Sequence, residues 1–385
     1  MSISTQRFYS IEDLRQHAKK RLPKAVFEFF DGGAEDELTL KQNIEAFKAL
    51  RFIPKALHDV SKIDYSSKIL GSLSNIPCAI APTGAVGFGW RGGDVAIAKA
   101  AAQFNIPYCL STTATASIEE IANQAPGRHW FQAYILKDKD LFEKLIQRAK
   151  DADYEALMIT VDLPVGGKRE RDYRNDFKIP FQYTVKNCLD FSSRPLWAIA
   201  MLVHGVPKLK NLIGLESDNQ QSIQLASSVG KNYDPSFDWD RLSQVRDKWS
   251  KKLIIKGVLN PSDAARLEKM GCDAIVVSNH GGRQLDGAIA TMDALPAILD
   301  VIQKRIPVYL DGGVRRGSDI VKAIACGADG VLLGRATLFG AIAAGEAGAR
   351  RALEILEDEL IRTMQLCGVK NLSEIDSFLL AKLIR

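Results

Sequence analysis

An α/β fold, a closed barrel of eight β-α units, is the class the 385-residue sequence predicts, and three observations predict it. From residue 77 onward, short apolar runs alternate with amphipathic stretches. The runs number eight, and each is nearly continuous in Val, Ile, Leu and Ala, as a strand buried on both faces must be. They are Pro77–Pro82, Tyr108–Thr113, His129–Ile135, Ala156–Asp162, Leu253–Val258, Ala274–His280, Val308–Val314 and Gly330–Ala336. A doubly wound sheet is the rival, but it predicts G-x-G-x-x-G after its first strand. Thr83-Gly84-Ala85-Val86-Gly87-Phe88-Gly89 has its glycines at other spacings.

Between the runs lie helix-like segments: Asp94–Phe104, Ile118–Gln124, Lys139–Lys150, Pro261–Met270, Met292–Lys304 and Gly317–Cys326, many closed by Gly or Asn. Ahead of the barrel, Ile11–Arg21, Lys24–Phe30 and Glu35–Leu50 read as helices broken by Pro23 and Asp31-Gly32-Gly33, so residues 1–60 are expected to form an N-terminal helical cap. After it, Glu346–Cys367 reads as one long amphipathic helix among C-terminal helices over 340–385. Barrels of this size commonly form one unit, so 1–385 is expected to be a single domain.

The stretch 175–233, after the fourth strand, is too long for an ordinary connection and has little periodicity. It contains Leu196-Trp197-Ala198-Ile199-Ala200-Met201-Leu202-Val203 and Val206-Pro207-Lys208-Leu209-Lys210-Asn211-Leu212-Ile213. Two readings are open. One is a lid over the barrel mouth, which composition alone favours; the other is an interfacial anchor, since a short apolar strip edged by Trp and Lys suits a headgroup boundary.

The net charge of +5 comes from Lys and Arg interspersed with acids, so nucleic acid is not an expected partner. Six cysteines form no C-x-x-C pair and mostly sit in apolar runs, which fits a reducing, cytoplasmic setting without a metal site. No stretch approaches the ~20 apolar residues of a membrane span, and the first residues lack an export-signal pattern. The chain is expected to be neither secreted nor integral.

The most informative segment is Ser278-Asn279-His280-Gly281-Gly282-Arg283-Gln284-Leu285-Asp286, directly after Ala274-Ile275-Val276-Val277. It sets an imidazole and a guanidinium on a glycine-loosened turn at a strand end. A group titrating near neutrality beside a permanent cation suits proton removal from a bound anion. His17, His58, His129 and His204 have no such setting. Asp162 ends Met158-Ile159-Thr160-Val161, where it either orients His280 or caps the next turn. Lys256 ends Leu253-Ile254-Ile255 and should face the barrel mouth, where a buried ammonium needs a negative partner such as a cofactor that becomes anionic.

Asp311-Gly312-Gly313-Val314-Arg315-Arg316-Gly317 follows the seventh strand and Gly334-Arg335 the eighth, the pair of loops that often bind phosphate in such barrels. Glycine amides and forked guanidiniums suit that anion. Arg169, in Lys168-Arg169-Glu170-Arg171-Asp172, is ambiguous, because a charge run is usually a solvated face.

These segments in this order, with Lys256-Gly257-Val258 and with Leu22-Pro23-Lys24 followed by Gly32-Gly33-Ala34-Glu35-Asp36, resemble the FMN-dependent α-hydroxy acid dehydrogenase/oxidase family over nearly the whole chain. The nearest branch is that of the bacterial membrane-associated (S)-mandelate dehydrogenases, with flavin L-lactate dehydrogenases close behind. The resemblance implies a (β/α)8 TIM barrel holding FMN. Pro82, Thr83, Gly84, Ser111, Gln132, Thr160, Lys256, Ser278, Asp311, Gly312, Gly313, Arg315, Gly334 and Arg335 would touch the flavin or its phosphate.

On the same resemblance, His280 would be the base, Asp162 its partner, Arg169 and Arg283 the carboxylate clamp, and Tyr134 a polar contact near the substrate hydroxyl. His280 would take a proton from the substrate's C2 centre as two electrons pass to FMN, and the resemblance leaves open whether the path is instead a hydride transfer. Lys256 would stabilise negative charge on the reduced ring. A peripheral place on the cytoplasmic face of the inner membrane, a membrane quinone as electron acceptor and a homotetramer are implied as well, and 175–233 becomes the membrane anchor.

Three departures from the family pattern bear on substrate choice. Phe29 stands where members usually carry a tyrosine that holds the substrate carboxylate. Thr113 replaces a tryptophan of glycolate oxidase-like members and Ala133 a leucine; both are expected to enlarge the pocket and to favour an aryl or long-chain 2-hydroxy acid. Gly84 stands where oxidases tend to have alanine, and glycine there goes with poor oxygen reactivity. The alternatives are an L-lactate dehydrogenase, an oxygen-using 2-hydroxy acid oxidase, an isomerase of the isopentenyl diphosphate type, and a barrel that binds FMN without hydroxy acid chemistry. The last two leave His280, Asp162, Arg169 and Arg283 together without a purpose.

Overall fold

The computed structural model describes residues 4–179, 181, 183–212 and 232–382. Eight parallel strands close into a barrel: β1 (Cys78–Ile80), β2 (Tyr108–Ser111), β3 (His129–Ala133), β4 (Ala156–Thr160), β5 (Lys252–Val258), β6 (Ala274–Val277), β7 (Val308–Asp311) and β8 (Gly330–Leu333). Closure is made where Leu332 of β8 pairs with Ala79 of β1. Every predicted run contains a strand, but most runs extend past the observed C-terminal end, to His280 rather than Val277 for β6. The surplus residues have left the ladder and line the barrel mouth.

Pleating sorts the strand side chains into layers. Cys109, Trp130, Met158, Ile254, Val276 and Tyr309 form an apolar layer buried within the barrel. Ile69 and Leu70 plug it from below; they come from the hairpin Ser67–Ile69/Ser72–Ser74, and the Leu70 amide donates to the Tyr309 hydroxyl at 2.8 Å. Two residues further along the same strands stand Ser111, Gln132, Thr160, Lys256, Ser278 and Asp311, all buried. A polar layer therefore sits above the apolar one, at the C-terminal end of the strands.

The same pleat corrects the reading of Ala133. One step from Gln132, it turns outward and packs with Phe131 in the core between barrel and helices, so it does not line the cavity described below.

Helices Gly93–Gln103, Ile118–Gln124, Lys139–Asp151, Pro261–Lys269, Thr291–Ile302 and Gly317–Ala325 surround the strands. The last helix, Arg335–Cys367, starts earlier than predicted but loses helical geometry at Ala344 and Gly345, so its second half begins where the amphipathic pattern does. Ile11–Arg21, opened by a Ser10/Asp13 capping box, packs on it. Lys24–Asp31 and Leu38–Ala49 reach the mouth: the Ala34 amide donates to Gly282 O at 2.9 Å, and Asn43 Nδ2 donates to Asn279 Oδ1 at 2.8 Å.

After β4 come the helices Glu170–Arg174, Val185–Ser192 and Pro195–His204; residues 213–231 of the predicted insertion lie outside the described residues. Trp197 is buried and its indole donates to Phe88 O at 2.8 Å, whereas Leu196, Ile199, Leu202 and Val203 on the same helix are exposed. Among the described residues no helix is long and apolar enough to cross a membrane.

Candidate active site

Lys256 and Asp311 of the polar layer face a cavity of about 950 Å³ at the barrel mouth. A wider depression of about 1130 Å³, between residues 62–68 and 370–377 at the other end of the barrel, contains none of the candidate side chains. Into the first cavity the loops bring Tyr134, Arg169, His280 and Arg283, the β1 loop Pro82, Thr83 and Gly84, and the last two loops Gly312, Gly313, Arg315, Gly334 and Arg335. Ser111, Gln132, Thr160 and Ser278 stand in the buried polar layer, outside the cavity lining, and Asp162 lies behind His280.

His280 is held in the left-handed region, at φ 59°, a conformation costly for a residue with a Cβ and tolerated where surroundings enforce it. Its amide donates to Ser278 Oγ at 3.0 Å. On the ring, Nδ1 lies 2.9 Å from Asp162 Oδ1 and Nε2 lies 3.3 Å from the Tyr134 hydroxyl. Burial lowers the His280 pKa and outweighs Asp162, while Lys256 and Arg283 lower it further. Asp162 is pushed up by burial, yet His280 and Lys256 bring it below the ordinary carboxylate value. The resting pair is thus a neutral imidazole donating from Nδ1 to an ionised carboxylate, with Nε2 free to accept a proton.

Lys256 Nζ is 3.0 Å from Asp311 Oδ2 and donates to Ser278 Oγ at 2.9 Å, and Ser278 Oγ donates to Asp311 at 2.8 Å. Burial alone would lower its pKa, but Asp311 and Asp162 raise it, so this is a fixed cation.

Arg283 is anchored by the carbonyls of Phe29 and Gly32, both at 2.8 Å. Arg169 lies 3.3 Å from Asp172. The Phe29 ring takes both cations, with centroids 5.4 Å from the Arg283 and 5.5 Å from the Arg169 guanidinium carbons. Although the Arg283 tip touches the cavity, the protein crowds it. That crowding, with Arg169 adding, pulls its pKa down to about 10. Arg315 and Arg335 are lowered first by burial as well, and Arg335 further by Arg283 and Arg315. Converging cations that depress one another are a surplus of positive charge, which bound anions would neutralise.

One glycine is needed here for space: a Cβ on Gly282, at φ 74°, would run into the backbone of Leu40, whereas one on Gly84 would meet only the Thr113 side chain, whose hydroxyl would have to turn away. Thr113 lines the cavity, and its hydroxyl lies 3.1 Å from Ser111 Oγ, which donates to Gln132 Oε1 at 3.1 Å.

The matching family model, FMN-dependent dehydrogenase, covers residues 18–382. The chain belongs to this family. It is 41% identical to the (S)-mandelate dehydrogenase of Pseudomonas putida over 96% of this chain and 93% of that protein. It is 39% identical to an L-lactate dehydrogenase of Caulobacter sp. (strain K31) over 97% and 98%. A crystal structure described as the monotopic membrane protein (S)-mandelate dehydrogenase matches with a TM-score of 0.93 at 40% identity, over 98% of this chain and all (100%) of that one.

A member of the FMN-dependent 2-hydroxy acid dehydrogenase family uses FMN, and the cavity suits it. Thr83 Oγ1 on the cavity lining, and Gln132 Nε2 and Thr160 Oγ1 in the polar layer that also holds the cavity-facing Lys256 and Asp311, are buried polar atoms with no partner in the protein, which the heteroatoms of a flavin ring could supply. Arg315, Arg335 and the Gly312-Gly313 turn could hold its phosphate, with the N-terminus of Arg335–Cys367 alongside.

Some residues of this dehydrogenase site escaped sequence reasoning. The Tyr233 ring packs 5.2 Å from Tyr134, but Tyr233 ends an aperiodic stretch that gave no signal. Gly167 donates to Gln284 Oε1 at 2.7 Å, and a Cβ there would strike the Arg283 carbonyl. The Gly166-Gly167 pair beside the charge run at 168–172 was the signal available. Asp172 is the partner that lifts Arg169 out of the solvated-face reading.

Proposed function

We propose that this enzyme oxidises an (S)-2-hydroxy acid with an aryl or other bulky side chain to the 2-oxo acid and passes the electrons to a membrane quinone. The observation that carries the reading is His280 Nε2, a neutral proton acceptor in the same cavity as the Arg169/Arg283 pair. The guanidiniums bind the substrate carboxylate, and Tyr134 orients the substrate hydroxyl. His280 takes the proton, and Asp162 stabilises the imidazolium that results. FMN, when bound, supplies the two-electron acceptor for the substrate, and Lys256 offers a fixed positive charge at the cavity floor.

Bulk is favoured because the cavity wall has Thr113 in place of a larger side chain, and because Phe29 offers the substrate a ring without a hydroxyl. The test is anaerobic mixing with aryl and aliphatic 2-hydroxy acids at equal concentration while the visible flavin band is followed. Bleaching is expected, fastest with aryl acids. A larger kcat/KM for lactate than for mandelate would reject the ranking, and a band that persists with every acid would reject the reaction.

Phe29→Tyr adds a donor beside both guanidiniums. A neutral hydrogen bond contributes about 0.5–1.5 kcal/mol, so KM for small hydroxy acids should fall about two- to tenfold, with kcat little changed. Unchanged KM for every acid turned over would show that the missing hydroxyl has no bearing on carboxylate binding.

The exposed Leu196, Ile199, Leu202 and Val203, on a helix too short to span, support the anchor over the lid. Leu196→Glu with Leu202→Glu should move the protein from the membrane pellet to the supernatant at physiological salt. Equal membrane retention of the variant would contradict this, as would a wild-type chain already fully in the supernatant.

A further inference from the structure

We infer that the side of the cavity made by Phe177, Ile179, Phe181 and Leu209 is the docking site of the electron acceptor, a lipid-borne benzoquinone; this rests on the quinone-linked reading above. All four residues line the cavity, their side chains have no polar atoms, and none of them belongs to the guanidinium clamp, the His280 pair or the phosphate end.

They also lead somewhere. The Phe29 ring, under the clamp, lies 4.9 Å from Phe177, Phe177 lies 5.6 Å from Phe181, and Phe181 lies 6.0 Å from Trp197, centroid to centroid. Trp197 is the buried residue of helix Pro195–His204, whose other side exposes Leu196, Ile199, Leu202 and Val203. The row of rings is therefore continuous from the catalytic cavity to an outward apolar surface, the kind of surface that faces lipid. A hydrated or charged acceptor would lose its water against these side chains and gain no partner. A planar apolar ring would stack on them, and its tail would leave along the exposed helix. The electron count agrees: the two electrons and two protons lost as a 2-hydroxy acid becomes a 2-oxo acid equal those that turn a benzoquinone into its hydroquinone.

The experiment is a titration of the FMN-loaded, detergent-solubilised enzyme with a short-tailed benzoquinone in the absence of hydroxy acid, read by tryptophan quenching and equilibrium dialysis. Saturable binding is expected, weakened about two- to tenfold by Phe181→Leu, the range of an aromatic pair. KM for the quinone should rise in step, while KM for (S)-mandelate with ferricyanide as acceptor stays at the wild-type value. Quinone binding untouched by Phe181→Leu would overturn the site. So would a parallel rise in KM for mandelate, which would give this wall to the substrate's aryl group. If the wild-type enzyme reduces ferricyanide but binds no quinone, the quinone reading itself falls. Should Phe181→Leu fail to retain FMN, Ile179→Trp narrows the same lobe from its partly exposed edge. Wild-type quinone affinity in that variant would equally overturn the proposal.

Discussion

Replacing His280 with glutamine is expected to lower kcat/KM for the hydroxy acid by roughly 10²–10⁴-fold, the usual contribution of a positioned general base, while FMN stays bound. Glutamine is polar and of similar reach, so it can still donate to Asp162 Oδ1, which His280 meets at 2.9 Å, but it has no site for the substrate's proton. Flavin content and the oxidised absorption spectrum therefore serve as the control, and a variant that keeps wild-type kcat/KM would remove His280 from the chemistry.

The pH profile follows from the same environment. Burial holds His280 below its ordinary 6.5, so the neutral, proton-accepting form prevails at neutral pH. In the wild type kcat/KM should rise through a value under 6.5 and level off above it. In Asp162→Asn the opposing carboxylate is gone, and the rise should move further toward acid, with a lower plateau because the imidazolium loses its counter-charge. Stability has a matching sign. A folded value below the unfolded 6.5 contributes stability that is present above 6.5 and lost as pH falls through the folded value.

How much of this was legible depends on which physical signal each residue leaves. A barrel strand is buried on both faces, so its apolar run stands out, and all eight were found. The runs were read too long because Ser278 and His280 continue a strand in sequence while their backbone has already left the ladder. His280 and Lys256 were legible from residue type at a strand end. Ser111, Gln132 and Thr160 were not, because a polar residue at one inward position per strand looks like an ordinary interruption, and only the family resemblance singled them out.

Ala133 shows the converse: its place next to Tyr134 in sequence suggested a pocket wall, and the two-residue period of the pleat turned it away. Tyr233 and Phe177 come to the cavity across an irregular insertion, and no local pattern encodes that return. Phe29 was read as a missing hydroxyl, a difference of chemistry. What sequence could not supply is that its ring lies against both guanidiniums, 5.4 and 5.5 Å away, which places the missing hydroxyl beside the clamp.

Lys256→Met should destabilise the protein by about 3–5 kcal/mol, because it removes one partner of a buried ion pair and leaves the other behind. Methionine fills nearly the same volume, so packing is little disturbed and the electrostatic effect dominates. Asp311 would keep the Ser278 hydroxyl at 2.8 Å but lose the ammonium at 3.0 Å, in a layer sealed below by Trp130 and Tyr309. The urea midpoint should fall at unchanged m value. Adding Asp311→Asn removes the stranded charge and should recover most of the loss, a non-additivity that two independent sites would not show. The dependence on pH also has a definite sign: folded Lys256 titrates above its ordinary 10.5, so its stabilisation is intact across neutral pH and disappears only as alkali passes the folded value. A Lys256→Met enzyme with the wild-type midpoint would mean that the Lys256–Asp311 contact, 3.0 Å long, contributes nothing to stability.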